Sequence, residues 1–165
     1  MTTQGQPMTE DQQRSAVVTE ARSWLRTPYH SMGRVKSAGV DCYTLLLETF
    51  RTVGLFTSED EAAFYPADWF LHAREDHYKL RIMRHATEMI ERFCSSTAMH
   101  APGNIVLVRI QGKKGSIDAH GGVIVDWPKV IHAYPPCAME ADARYHPAFA
   151  GGQLEFYSPW GKRNV

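Results

Sequence analysis

At Pro102-Gly103 the hydrophobic period of this chain changes, and that change limits the folds open to it. Before it, apolar side chains recur every three or four residues, as on helices with one buried face. After it come short β-branched runs broken by glycine, proline and polar residues, as in strands and turns. Thr9-Glu-Asp-Gln12 reads as a capping box opening a helix to about Arg26, with Ala16, Val17, Ala21, Trp24 and Leu25 as its buried stripe. Thr27-Pro28 stops it, because proline disfavours helical geometry in the residue before it. A loop from Tyr29 to Val40 carries Gly33 and Gly39. From Asp41 to about Val53 the residues Leu45, Leu46, Leu47, Phe50 and Val53 predict a largely buried helix, which Gly54 ends. From Asp68 to about Cys94 the pattern is helical again, as one bent helix or two shorter ones. The predicted strands are Asn104–Ile110, His120–Val125 and Lys129–Tyr134, with weaker ones at Cys137–Glu140 and Leu154–Tyr157 and a turn from Gln111 to Ser116. Helices first and antiparallel strands second describe an α+β fold, its N-terminal helices packed on a C-terminal antiparallel sheet.

The chain's 165 residues suit one domain, able to bury roughly 70% of its unfolded surface. Residues 1–8 read as a flexible lead-in and 9–165 as a single domain. Hydrophobic residues at 44% and charged ones at 22% exclude a disordered chain or a fibrous repeat. With 18 basic and 18 acidic residues there is no global field to draw nucleic acid or an anionic membrane, so neither is an expected partner. The longest aliphatic run, Ile105-Val-Leu-Val108, falls far short of the ~20 residues of a membrane helix. The first residues show neither the basic nor the apolar region of a secretory signal, which predicts synthesis in the cytoplasm. Cys42, Cys94 and Cys137 form neither an even set nor a C-x-x-C pair, against a disulfide framework or a zinc ribbon.

Chemistry concentrates where Gly39-Val-Asp-Cys42 turns into the second helix. First-turn N–H groups lack intrahelical partners and the helix dipole is positive there, so a thiolate is favoured over a thiol. Cys42 is therefore either a nucleophile or a buried structural cysteine; Cys94 and Cys137 lack this context and read as structural. A nucleophilic cysteine needs a base held by a third group. Of eight histidines, six lie in loops or charged helical segments, His146 among them, and read as solvated. His120 and His132 lie in apolar strands, where an imidazole needs a hydrogen-bond partner.

If strands 120–125 and 129–134 form a hairpin around Asp126-Trp-Pro128, an odd loop pairs Val125 with Lys129 and Gly122 with His132. His120 then shares a face with Gly122, diagonal to His132 at about 7–8 Å between Cα atoms, so the two rings can meet. Gly121 and Gly122 leave the backbone beside His120 open to a substrate or a helix. Cys42, His120 and His132 are also metal-ligand types, but no short paired spacing supports a metal site, and no cofactor is expected. Asp41 is an N-cap or a receiver of a substrate ammonium, and Tyr29 a packed loop aromatic or a pocket wall.

Ala21-Arg-Ser-Trp-Leu-Arg-Thr-Pro-Tyr29, Gly39-Val-Asp-Cys42, His120-Gly-Gly-Val-Ile-Val125 and Val130-Ile-His-Ala-Tyr134, in that order, resemble the NlpC/P60 cysteine peptidases. Thr27-Pro-Tyr-His30 leading into Asp41-Cys42 is similar to their phage-encoded, tail-associated branch. The resemblance covers roughly residues 16 to 135. It implies a papain-like α+β fold and hydrolysis of amide bonds in peptidoglycan stem peptides, often D-γ-glutamyl-diamino acid linkages. By position, Cys42 is the nucleophile, His120 the general base and His132 its orienting residue. Asp41 and Tyr29 line the substrate pocket, and the Cys42 backbone N–H joins the oxyanion hole. The family reads Asp-Cys-Ser-Gly or Asp-Cys-Leu-Gly where this chain has Asp41-Cys-Tyr-Thr44, which implies tighter packing behind the nucleophile. The Tyr29–Asp41 loop is one residue longer than in bacterial members, and a helical insertion occupies about 55–100. The phage-like features imply delivery to the wall by a virion and phage tail proteins as partners. Two other functions fit the same residues: an amidase or acyltransferase on another acyl substrate, and a non-enzymatic tail-assembly module that keeps the fold.

Overall fold

The computed structural model describes residues 7–56, 90–92, 97–112 and 115–160. Helix α1 spans Glu10–Ser23 and helix α2 Cys42–Thr52. Between them β1 (Arg34–Val35) and β2 (Gly39–Val40) form a small antiparallel ladder. The main strands are β3 (Ile90–Arg92), β4 (Ile105–Gly112), β5 (Gly115–Asp126), β6 (Lys129–Tyr134), β7 (Cys137–Asp142) and β8 (Gln153–Ser158). They make one antiparallel sheet in the order β3-β8-β4-β5-β6-β7, and a short helix α3, Pro147–Ala150, precedes β8. Helices packed on a C-terminal antiparallel sheet are the expected α+β arrangement.

The capping box forms as its sequence predicts: Thr9 N–H donates to Gln12 Oε1 at 2.9 Å, and Gln12 N–H donates to Thr9 Oγ1 at 3.3 Å. The helix ends earlier than Arg26, however, and its buried stripe is Val17, Val18, Ala21 and Trp24, with Ala16 only half-buried. Leu25 is exposed, because the chain has already turned toward β7, where Arg26 N–H donates to the Ala138 carbonyl at 2.9 Å. Arg14 fixes the other end of α1, donating to the Pro102 carbonyl at 2.8 Å and lying 4.0 Å over the Trp160 ring. The Tyr29–Val40 loop folds into the β1–β2 ladder, and Gly33 approaches Gly39 so closely that a Cβ would fall 2.4 Å from the Gly39 carbonyl carbon.

Other sequence expectations fail as well. The turn expected from Gln111 to Ser116 is largely strand, β4 running to Gly112 and β5 starting at Gly115 with Gln111 paired to Ser116. Ile90–Arg92, read as part of a helix, is an edge strand paired with β8 over Ile90↔Ser158 to Arg92↔Phe156. The outer edge of β8 offers backbone groups that need partners, and this outweighs a weak helical period. The remainder of the predicted 68–94 helical stretch lies outside the described residues, as does Cys94.

Two cores flank the sheet. Val17, Ala21 and Trp24 of α1, Leu45, Leu46 and Phe50 of α2, and Ile105, Leu107, Val123, Val125, Ile131 and Ala133 form the first. Val106, Val108, Ile124, Val130, Phe149 and Phe156 form the second, on the other face. The β5–β6 register Val123↔Ile131 and Ile124↔Val130 is the expected one, although the hairpin tip pairs Asp126 with Lys129 and a bulge takes up the extra residue. The gap at Gly122 is filled by β6 itself: a Cβ there would lie 2.9 Å from the Ile131 carbonyl oxygen and 3.2 Å from His132 Cβ. We predict that Gly122→Ala destabilises the protein by about 1–3 kcal/mol in urea unfolding, as overpacking does. Gly151→Ala, with nothing within 4 Å of the added carbon, should be near neutral.

Candidate active site

Cys42 is the first residue of α2 and is buried. The Asp41 side chain caps the helix: Oδ1 accepts from Tyr43 N–H at 3.1 Å and Thr44 N–H at 2.9 Å. Its Oδ2 accepts from Met32 N–H at 2.7 Å, which ties the preceding loop to the helix start. Thr44, where the resembling family has glycine, completes a capping box by accepting from Asp41 N–H at 3.0 Å. The β-branched residue thus locks the turn that presents the thiol, and Thr44 is fully buried.

Tyr29 belongs to the same group. Its backbone N–H donates to the Pro136 carbonyl at 2.9 Å, and it bridges to Val40 two residues before Cys42. Burial, and then the negative charges that Cys42 and Asp41 can carry, push the phenol well above its ordinary range, so it stays a neutral hydrogen-bond donor.

The histidines form a second group. His120 Nε2 and His132 Nδ1 lie 2.8 Å apart in a buried hydrogen bond, with ring planes at 88°. Alternation along β5 and β6 produces this: it turns Val123, Val125, Ile131 and Ala133 toward the α2 core and the two histidines to the other side. There both rings meet Phe149 of α3 at 5.0 Å between centroids. Burial lowers both imidazoles far below the ordinary histidine value, and neighbouring imidazoles add to the effect, so both are neutral at pH 7. Each ring can then give one nitrogen as donor and one as acceptor.

His146 is the residue that sequence reading missed. Assigned there to a solvated loop, it packs edge-to-face on His132 with centroids 4.5 Å apart, and its Nδ1 accepts from Ala148 N–H at 3.2 Å as the N-cap of α3. The sequence signal for it was only His146-Pro147, a capping residue before a proline at a helix start. Among the described residues no group of histidine, cysteine or carboxylate side chains has the arrangement of a metal site. No helix among them is long and apolar enough to cross a membrane.

The neutral pair has a consequence for stability. Both folded-state values lie below the ordinary ~6.5, so the unfolded chain binds more protons as pH falls through that value. Stability is complete above about pH 6.5 and declines below it, by at most about 1.4 kcal/mol per pH unit for each histidine. We predict that urea unfolding between pH 7.5 and 5 shows this slope, and that His132→Gln makes it shallower.

No family model matches the sequence, and no curated protein matches it. Among solved structures, NlpC1 from Trichomonas vaginalis is similar over 95% of this chain, at 14% identity and a TM-score of 0.63. NlpC2 from the same organism is similar over 94%, at 12% identity and a TM-score of 0.55. An NLP/P60-family protein from Staphylococcus aureus subsp. aureus Mu50, described as similar to lipoprotein, is similar over 94%, at 14% identity and a TM-score of 0.52. The chain spans 47%, 50% and 44% of those chains, about half their length. A capped helix headed by cysteine, set on an antiparallel sheet that carries a histidine pair, is built on the NlpC/P60 fold.

Proposed function

We propose that this protein is a thiol hydrolase that cleaves amide bonds of peptidoglycan stem peptides, at D-γ-glutamyl-diamino acid linkages, with Cys42, His120 and His132 as its triad. The observation that carries the reading is the buried His120–His132 hydrogen bond. Two neutral imidazoles joined nitrogen to nitrogen support the reading of a base and its orienting partner. The NlpC/P60 fold and the order Thr-Pro-Tyr, Asp-Cys, His, His support the choice of substrate class.

In this reading the Cys42 thiolate attacks the amide carbonyl and His120 holds the thiol proton at the nitrogen not bonded to His132. His120 then gives that proton to the leaving amine, and water, activated by the same ring, hydrolyses the thioester. His120 therefore donates Nε2–H to His132 Nδ1, which fixes both tautomers. The burial that keeps His120 neutral also makes its imidazolium costly. The proton is held there while a thiolate or an oxyanion supplies compensating charge. Tyr29, a neutral donor beside the thiol, and Asp41, which fixes the helix start, complete the pocket.

Hydrolysis of a γ-D-glutamyl-diamino acid peptide tests the assignment. Cys42→Ala should abolish it while the fold persists, and His120→Asn should cost about 10²–10⁴-fold in rate, the range of general acid–base catalysis. His132→Gln should retain more activity than His132→Ala, because the amide can still accept from His120. Equal losses for His132→Gln and His120→Asn would reverse the roles, and full activity in Cys42→Ala would reject the nucleophile.

Thiol labelling gives a second check that needs no substrate. Cys42 is buried whereas Cys137 is partly exposed, so accessibility alone favours Cys137. We predict that iodoacetamide near neutral pH modifies Cys42 first, by mass spectrometry, and more slowly in His120→Asn. Preferential labelling of Cys137 would sink the activated-thiol argument.

A further inference from the structure

The hydrogen bond between His120 and His132 leaves one nitrogen of the pair unexplained. His132 is fully buried, and among the described residues its Nε2 has no hydrogen-bond partner. Packed against the His132 ring are His146 at 4.5 Å and 77°, Phe149 at 5.0 Å and 67°, and Tyr134 at 6.2 Å and 37° between centroids and planes. With His120 donating to His132 Nδ1, as in the thiol-hydrolase reading, His132 Nε2 carries a hydrogen. A buried N–H beside aromatic rings tolerates neutral ones, which offer a weak N–H···π contact, and is repelled by a cationic one. His146 is the only one of those three rings that can become a cation near neutral pH.

His146 also holds the wall of this cluster. Its Nδ1 accepts from Ala148 N–H, which starts the α3 turn carrying Phe149, and Phe149 covers both rings of the pair. That bond requires a bare Nδ1 and so a proton on Nε2; a protonated ring carries hydrogen on both nitrogens and cannot make it. Protonating His146 therefore does two things at once. It removes the α3 cap, and it places a positive charge beside the buried His132 ring.

We infer that His146 is a positioning residue for the His120–His132 pair, packing on the His132 ring and capping the turn that walls the pair, and that its protonation disables the pair. The rings packed against it are His132 and Tyr134 of β6 and Phe149 on its own turn, with His120 of β5 one ring beyond. The Asp142–Arg144 ion pair precedes it, its charges mutually satisfied at 2.7 Å. None of these supplies a negative charge free to stabilise a His146 cation, and its partial burial lowers its proton affinity in the same direction.

Long-range ¹⁵N–¹H NMR of the histidine rings in the whole chain, from pH 8 to pH 5, tests this without reference to activity. The wild type should show His146 as the Nε2–H tautomer at pH 8, and the His120 and His132 signals should shift with the midpoint at which His146 protonates. His146→Asn keeps a capping side chain but does not titrate. In it the coupled shift should vanish and the pair should keep its neutral signature to lower pH. His146→Ala, with neither cap nor ring, should disperse the pair's signals at pH 8. A pair that does not respond at the His146 midpoint, an unchanged profile in His146→Asn, or wild-type pair signals in His146→Ala would each overturn the inference. Should the alanine variant not fold, the asparagine variant decides alone. The consequence for catalysis rests on the thiol-hydrolase reading: the acid limb of kcat/KM should move to lower pH in His146→Asn. An acid limb unmoved in an active enzyme counts against His146, whereas absence of hydrolysis in the wild type counts against the hydrolase reading and leaves the NMR result to stand by itself.

Discussion

The pairing of β5 with β6 governs both cores and the histidine pair, because side chains alternate strictly across a strand. With Val123 opposite Ile131, the apolar residues Val123, Val125, Ile131 and Ala133 face α2, and His120 and His132 face Phe149. A slip of one residue in β6 would turn Ile131 away from α2 and put His132 into that core. Gly122 protects the register from the β5 side, since any larger residue would collide with the Ile131 carbonyl and the His132 side chain. The bulge between Ile124 and Asp126 confines the irregularity to the hairpin tip.

That register brings the imidazoles together at a cost. Two polar rings sit largely out of water, and a single strong hydrogen bond at 2.8 Å satisfies one nitrogen of each. Desolvation then sets their chemistry: both are neutral at pH 7, and the proton on each ring is tied to the proton on the other. A pair so coupled is specific in orientation but weak in ground-state basicity. It suits a base that acts when negative charge develops beside it, and not one that stores a proton beforehand.

The start of α2, which carries Cys42, is fixed by different means. Asp41 spends one oxygen on the first-turn N–H groups of α2 and the other on Met32, so the loop and the helix start are held by one carboxylate. Thr44 returns the bond through its hydroxyl and stands in the place where the resembling family carries glycine. The substitution is accommodated because this side chain joins the cap in addition to filling space.

Much of this was legible in the sequence, wherever local rules are strong. Thr9-Glu-Asp-Gln12 specified its own capping box, Asp41 its cap, and the Trp127-Pro128 hairpin a register that brought His120 to His132, since each depends on residues within a few positions or on strict alternation. What only the tertiary structure decided lies between segments distant in the chain. Ile90–Arg92 is a strand because the edge of β8 needed partners, not because its own residues require it. Leu25 leaves the α1 stripe because the chain turns to meet Ala138. His146 looked like a solvated loop residue until α3 folded back over β6 and set its ring against His132. Sequence encodes period, caps and turns directly; which surfaces a short, weakly patterned segment covers is fixed by the backbone groups and cavities that the rest of the fold leaves open.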